Sequence, residues 1–166
     1  MALEAKTGTG VLASYGPRNT SGVFGADTNH NTLIKKVVWD FTYNDLPDGG
    51  ADQLGLSYVI PANSTIVSAK LIVDTAFTST SGLTDLTVGL YRATDGTTAI
   101  DASGLITAVN ADQTAIGTVG SVITGTGALV GKLSSATYDA VLVVAPSTAD
   151  LTGGEGRIIV EYILNS

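Results

Sequence analysis

The side chains able to do chemistry are few. His30 is the single histidine, set in the stretch Thr-Asn-His-Asn-Thr within an irregular N-terminal segment. A Ser-His-Asp triad could use no other base, and no Gly-x-Ser-x-Gly elbow accompanies it. His30 therefore reads as a polar loop residue. A glycosidase needs two carboxyl groups roughly 5 to 10 Å apart in a cleft. Asp40 and Glu161 are the pair to consider, because both fall in strand-like runs opposite most of the large apolar residues. A sandwich carries its solvent-facing charges at such positions, and that reading is favoured over catalysis. Asp45, Asp48 and Asp52 crowd into Asp-Leu-Pro-Asp-Gly-Gly-Ala-Asp, and calcium takes clustered carboxylate and carbonyl oxygens. Their spacing is not that of an EF-hand loop, and Asp and Gly are ordinary turn formers, so a turn is favoured over a calcium site. Asp150 and Glu155 repeat the pattern more sparsely.

Other chemistry is narrowed by what the chain lacks. There are no cysteines, which removes disulfides, thiol catalysis and thiolate metal sites. Gly-Thr-Gly motifs occur, but none is followed by the Lys-Ser/Thr of a phosphate-binding loop. Trp39 shares a face with Val37, Phe41 and Tyr43 and is assigned to the core, which leaves Tyr15 and Tyr91 as the aromatics available for a sugar platform. No cofactor is expected. Lys and Arg total 8 against 15 Asp and Glu, a formal net charge of −7. Binding nucleic acid through phosphates needs clustered cations, and Lys35-Lys36 is the only adjacent basic pair, so nucleic acid is rejected as a partner. No run approaches the roughly 18 to 20 apolar residues of a membrane span. The first residues carry neither the basic start nor the apolar stretch of a secretion signal.

The elements that must position these residues are strands. In Lys-Lys-Val-Val-Trp-Asp-Phe-Thr-Tyr, apolar side chains recur at every second position from Val37, the signature of a half-buried strand. The same alternation places Leu54, Leu56, Tyr58 and Ile60 together. After the Pro61–Thr65 turn, read as a device that reverses the chain, it joins Val67, Ala69, Leu71 and Val73, leading to Phe77. Leu86, Val88 and Leu90 form another such set. Further strand character lies in residues 121–124, 128–133, 138–146 and 157–164, and a short helical turn is expected near Ser103 to Asn110. About eight short strands separated by Gly, Asp, Ser and Thr turns predict an all-β fold, an antiparallel β-sandwich that is jelly-roll-like in its strand number. That domain covers 35–166. Residues 1–34 are rich in Gly, Thr, Asn and Ser, with isolated apolar residues, and cannot fold alone. They are expected to form an extended N-terminal arm, with Val11, Leu12, Tyr15, Val23 and Phe24 as partner contacts.

One stretch carries a family likeness. Ile60-Pro61 leading through Ile66 to Thr75-Ala76-Phe77, followed by Leu86, Val88 and Gly89, resembles small structural proteins of tailed bacteriophages. The likeness covers residues 54 to 92 well and the terminal Gly-Arg-Ile-Ile-Val-Glu-Tyr-Ile loosely. It implies a virion β-sandwich protein without catalytic residues that coats the head or forms part of a head or tail fibre; the expected location is the capsid surface, after synthesis in the host cytoplasm. The favoured expectation is a capsid decoration (cement) protein whose partner is the major capsid protein, forming a homo-oligomer with a trimer favoured. The alternative is a receptor- or glycan-binding module of a head or tail fibre. Its binding face would be the loops at Asp45 to Asp52 and Thr94 to Gly104.

Overall fold

Where apolar side chains alternate with polar ones, the chain can bury one face of a strand and hydrate the other, and two such sheets can close on each other. The computed structural model describes residues 34–46, 59–80, 84–147 and 149–165. All of them belong to the second of the chain's two units, Asn31–Ser166. Eight strands run through them: β1 (Lys35–Thr42), β2 (Val59–Ile60), β3 (Ser64–Ser79), β4 (Leu86–Arg92), β5 (Ala99–Ile106), β6 (Val122–Thr124), β7 (Ala140–Pro146) and β8 (Leu151–Leu164). They form two four-stranded antiparallel sheets, ordered β1-β8-β3-β6 and β2-β7-β4-β5. The pairings are nested, first strand with last and so inward. The fold is the expected all-β antiparallel sandwich.

The core fills the space between the sheets. Val37, Trp39 and Phe41 from β1 lie against Ile158 and Val160 from β8 and Ala69, Leu71 and Val73 from β3, with Leu86, Val88, Leu90, Leu142 and Val144 opposite. Trp39, Phe41 and Phe77 form a short aromatic run, with centroids 5.4 and 5.6 Å apart. Trp39 is buried, as its alternation predicts. The second sheet also buries part of its other face, where Tyr91, Val141 and Val143 pack with Ala93. Tyr91 is therefore 7% exposed and is no surface aromatic.

Local departures from the expected strands have identifiable causes. Val67 is 38% exposed and Ile66 takes its place in the core, because a register shift lies between Ile66 and Ser68 in the β3–β8 ladder. A bulge of this kind moves one residue to the opposite face, after which Ala69, Leu71 and Val73 return inward. Tyr43 leaves the strand and opens the 3-10 turn Tyr43–Asp45. The stretch from Ser103 to Ile106 is strand, and the helical turn comes later as α1 (Gln113–Ile116). There Asp112 accepts a hydrogen bond from the Ala115 N–H at 2.8 Å, and Ile116 is buried against the core. Residues 128–133 form turns, and only Leu133 bridges to the sheet, opposite Thr65. Their carbonyls and amides still serve it, since the Ile66 N–H donates to the Lys132 carbonyl and the Gly131 N–H to the Ile66 carbonyl. Of the expected strand at Leu54, Leu56, Tyr58 and Ile60, residues 54–58 lie outside the described residues, and buried Ile60 lies in β2.

The turn between β2 and β3 carries the chain from the second sheet to the first. Asn63 takes the left-handed conformation, φ 60°, which Asn tolerates better than most side chains. The Ala62 N–H donates to Asp139 Oδ1 at 2.7 Å, the Asn63 N–H to the Ser135 carbonyl at 2.7 Å, and Ser64 Oγ to the Pro61 carbonyl at 2.7 Å. Its polar groups are thus engaged within the chain.

Candidate interaction surface

The outward face of the first sheet carries the ion pairs of Arg157 with Asp40 and Asp74. Antiparallel pairing sets cross-strand neighbours side by side, and here it aligns opposite signs. Lys36 stands opposite Glu161, and Asp40 opposite Arg157. Glu161 also accepts a hydrogen bond from Ser68 Oγ at 2.8 Å. Between these charged rows, Val38 stands opposite Ile159, which stands opposite Lys70.

Arg157 is the centre of this surface. Its Nε lies 3.0 Å from Asp40 Oδ1 and its Nη2 3.2 Å from Asp74 Oδ2, so one guanidinium ties together β1, β8 and β3. A groove of about 490 Å³ opens beside it, lined by Asp40, Phe41, Thr42, Asp45, Asp74 and Glu155 among others. Four carboxylates face one guanidinium there, and they are engaged locally. Asp45 Oδ2 accepts from the Thr42 N–H at 2.8 Å and the Thr42 hydroxyl at 2.9 Å, and Glu155 accepts from Thr75 Oγ1 at 3.5 Å. The pairs are exposed, and each contributes little to stability.

The sequence-level candidates are dispersed by this geometry. Asp40 and Glu161 share the outward face, but they pair with Arg157 and Lys36, four residues apart along β1. At 3.3 Å per residue they stand roughly 13 Å apart, too far for the two carboxyl groups of a glycosidase. Asp45 is occupied as the cap of the Tyr43–Asp45 turn, while Asp48 and Asp52 lie outside the described residues, as does His30. Val11, Leu12, Tyr15, Val23 and Phe24 lie outside them too. Asp150 and Glu155 flank the start of β8, and the Asp150 carbonyl accepts from the Thr80 N–H at 3.2 Å. Among the described residues, no group of three or more His, Cys, Asp or Glu could hold a metal ion, and no helix is long and apolar enough to cross a membrane. Arg157 stands in no motif of the sequence. Its place two residues from Glu155 gains meaning only once β8 is paired with β1 on one side and β3 on the other.

Of the binding loop expected at Thr94 to Gly104, residues 99–104 are strand, part of β5, and the turn that precedes them is closed on itself. Asp95 Oδ1 accepts from the Thr97 and Thr98 N–H groups at 2.9 Å each, and Oδ2 accepts from the Thr98 hydroxyl at 2.8 Å. Thr98 through its N–H, then its hydroxyl, and Thr97 after them, lower the Asp95 carboxyl from 3.8 to about 2. A folded-state pKa below the unfolded one means that this contribution is complete above pH 3.8 and is lost as pH falls towards 2. The Asp95 carboxyl resonance in an NMR titration is expected to have its midpoint at about 2. In the Thr98→Val variant the midpoint should rise towards 3.8; a midpoint of 3.8 in the unmodified chain would contradict the turn geometry. Beside this turn, the Arg92 guanidinium lies 4.0 Å from the centroid of the Tyr138 ring.

No family model and no curated protein sequence matches the chain. Solved structures do resemble it. One is a chain of the acidic stable capsid structure of Helicobacter pylori bacteriophage KHP30, 20% identical, with a TM-score of 0.51, covering 82% of this chain and 91% of that one. Another is a chain of the capsid of Ralstonia phage GP4, 23% identical, with a TM-score of 0.54, covering 81% of this chain and 86% of that one. At these identities the likeness establishes a shared fold.

Proposed function

We propose that this chain is a non-enzymatic structural component of a phage virion, and more specifically a capsid decoration (cement) protein. It would bind the outer head surface and stabilise contacts between major capsid protein subunits. The observation that carries this reading is the likeness in fold, over about four fifths of the chain, to chains from two phage capsids. The residue-level likeness between Ile60 and Gly89 points independently to the same class of protein. The nested strand order supports reading the sandwich as a jelly roll, in which eight strands pair in this way.

Physically, such a protein acts by mass action. Its site is created only when capsid subunits meet, so each bound copy stabilises the assembled lattice relative to its parts. Residues 1–34 are proposed as the fastening arm, adding main-chain hydrogen bonds and the apolar contacts of Val11, Leu12, Tyr15, Val23 and Phe24 to a neighbour. A small homo-oligomer, a trimer in the sequence-level expectation, would multiply each contact. The fibre-module alternative draws no support from the β4–β5 turn, whose one carboxylate is consumed internally.

Co-sedimentation with capsids lacking the protein tests the reading. The full chain is expected to bind saturably, and a chain lacking residues 1–34 to bind on the order of tenfold more weakly or worse while giving the same strand-rich circular dichroism. Retention of full affinity by the shortened chain would refute the arm, and absence of binding by the full chain would refute decoration.

A further inference from the structure

We propose that β1 is a docking edge for a second copy of this chain, joined antiparallel about a two-fold axis at Val38. The order β1-β8-β3-β6 leaves β1 at the edge of its sheet, and among the described residues its outer side has no backbone partner. Its eight residues run against β8 without a register break, in contrast to β3 and β5, whose ladders are interrupted. A long regular edge is a template for pairing.

The register follows from the side chains. Opposed residues of an antiparallel pair share a face of the sheet, so a two-fold axis must pass through a residue position. With the axis at Val38, Val38 meets its own copy and Lys36 meets Asp40 of the partner subunit, twice. On the inner face Val37 meets Trp39 of the partner subunit. Each subunit already sets Lys36 beside Glu161 and Asp40 beside Arg157. The joined sheet would therefore carry a row running Glu161, Lys36, Asp40 of the partner subunit, Arg157 of the partner subunit. Signs alternate across the junction without a like-charged neighbour. Moving the axis to Val37 or to Trp39 sets Lys36 or Asp40 opposite an uncharged residue. Lysines on an edge commonly deter pairing; in this register Lys36 is matched. An isologous contact of this kind joins copies in twos, as a dimer or as two linked trimers.

Two measurements test the contact. The chain has no cysteine, and opposed Cβ atoms in an antiparallel pair stand about 4.5 to 5.5 Å apart, at the outer limit of disulfide geometry and within reach after a small shift of two edge strands. Val38→Cys is expected to give a disulfide-linked dimer on mild oxidation, and Val109→Cys, exposed on a turn, is not. By light scattering, the parent mass should be an even multiple of the chain. Lys36→Glu and Asp40→Lys should each weaken association on the order of tenfold or more. Mixing the two variants should restore it. In the mixed pair the introduced glutamate of one chain faces the introduced lysine of the other, and the unaltered Asp40 and Lys36 face each other. An odd-numbered parent mass, charge variants that associate normally, or Val38→Cys that cross-links no better than Val109→Cys would each overturn the proposal. Loss of pairing only on removal of residues 1–33 would transfer the association to the arm.

Discussion

Replacing Ile158 by alanine is expected to cost about 3 to 4 kcal/mol of stability and to lower the melting temperature by roughly 10 °C. Ile158 lies on β8, the strand between β1 and β3, and stands opposite Trp39 on one side and Leu71 on the other. It is fully buried. Removing its outer carbons forfeits their transfer from water and also leaves a void walled by residues of two neighbouring strands. Those strands cannot close in without breaking ladder hydrogen bonds, so the cavity persists and the cost lies well above that of the lost area alone. Urea unfolding followed by tryptophan fluorescence measures this directly, since Trp39 is the single tryptophan. The midpoint should fall with the slope unchanged, and a loss under about 1 kcal/mol would place Ile158 outside the tightly packed core.

The second large effect is expected from adding a single methyl group. Gly89 lies on β4, where the ladder with β5 passes from Val88 opposite Ile106 to Leu90 opposite Asp101. β5 therefore has extra chain to accommodate, and that chain folds against Gly89. A Cβ at this position would overlap the Asp101 carbonyl and the backbone of Ala102. These are backbone atoms, so no rotamer change relieves the clash. Gly89→Ala is expected to cost about 3 kcal/mol, at the upper end for overpacking, whereas Thr124→Ala, at an exposed position of β6, should stay within about 0.5 kcal/mol. Equal unfolding midpoints for the two variants would contradict the close approach of β5 to β4.

The fold was largely legible because alternation is a local property. Val37, Trp39 and Phe41, or Leu86, Val88 and Leu90, are core residues by spacing alone, and the structure buries each of them. The failures arose where long-range pairing overrode the local pattern. Val67 alternates correctly with Ala69, but a bulge against β8 turns it outward. Residues 128–133 are apolar enough for a strand, yet they turn, with Gly131 at φ 78°, and reach β3 through the hydrogen bonds of Gly131 and Lys132 with Ile66. Tyr91 alternates with Leu90 as an outward residue, and the second small cluster on that face buries it. The charged surface was the least legible part. Lys36 and Asp40 lie far along the chain from Arg157 and Glu161, and only the antiparallel register of β1 and β8 places them in adjacent rows.

The proposed decoration role requires that bound copies stabilise the assembled capsid lattice. It is tested most directly by the thermal melting of capsids lacking the protein, before and after the purified chain is added. Particles are expected to open at a higher temperature, and imaging to find regular density on the outer lattice at saturation. An unchanged opening temperature with a bare lattice, at concentrations where the added chain is folded, would contradict it.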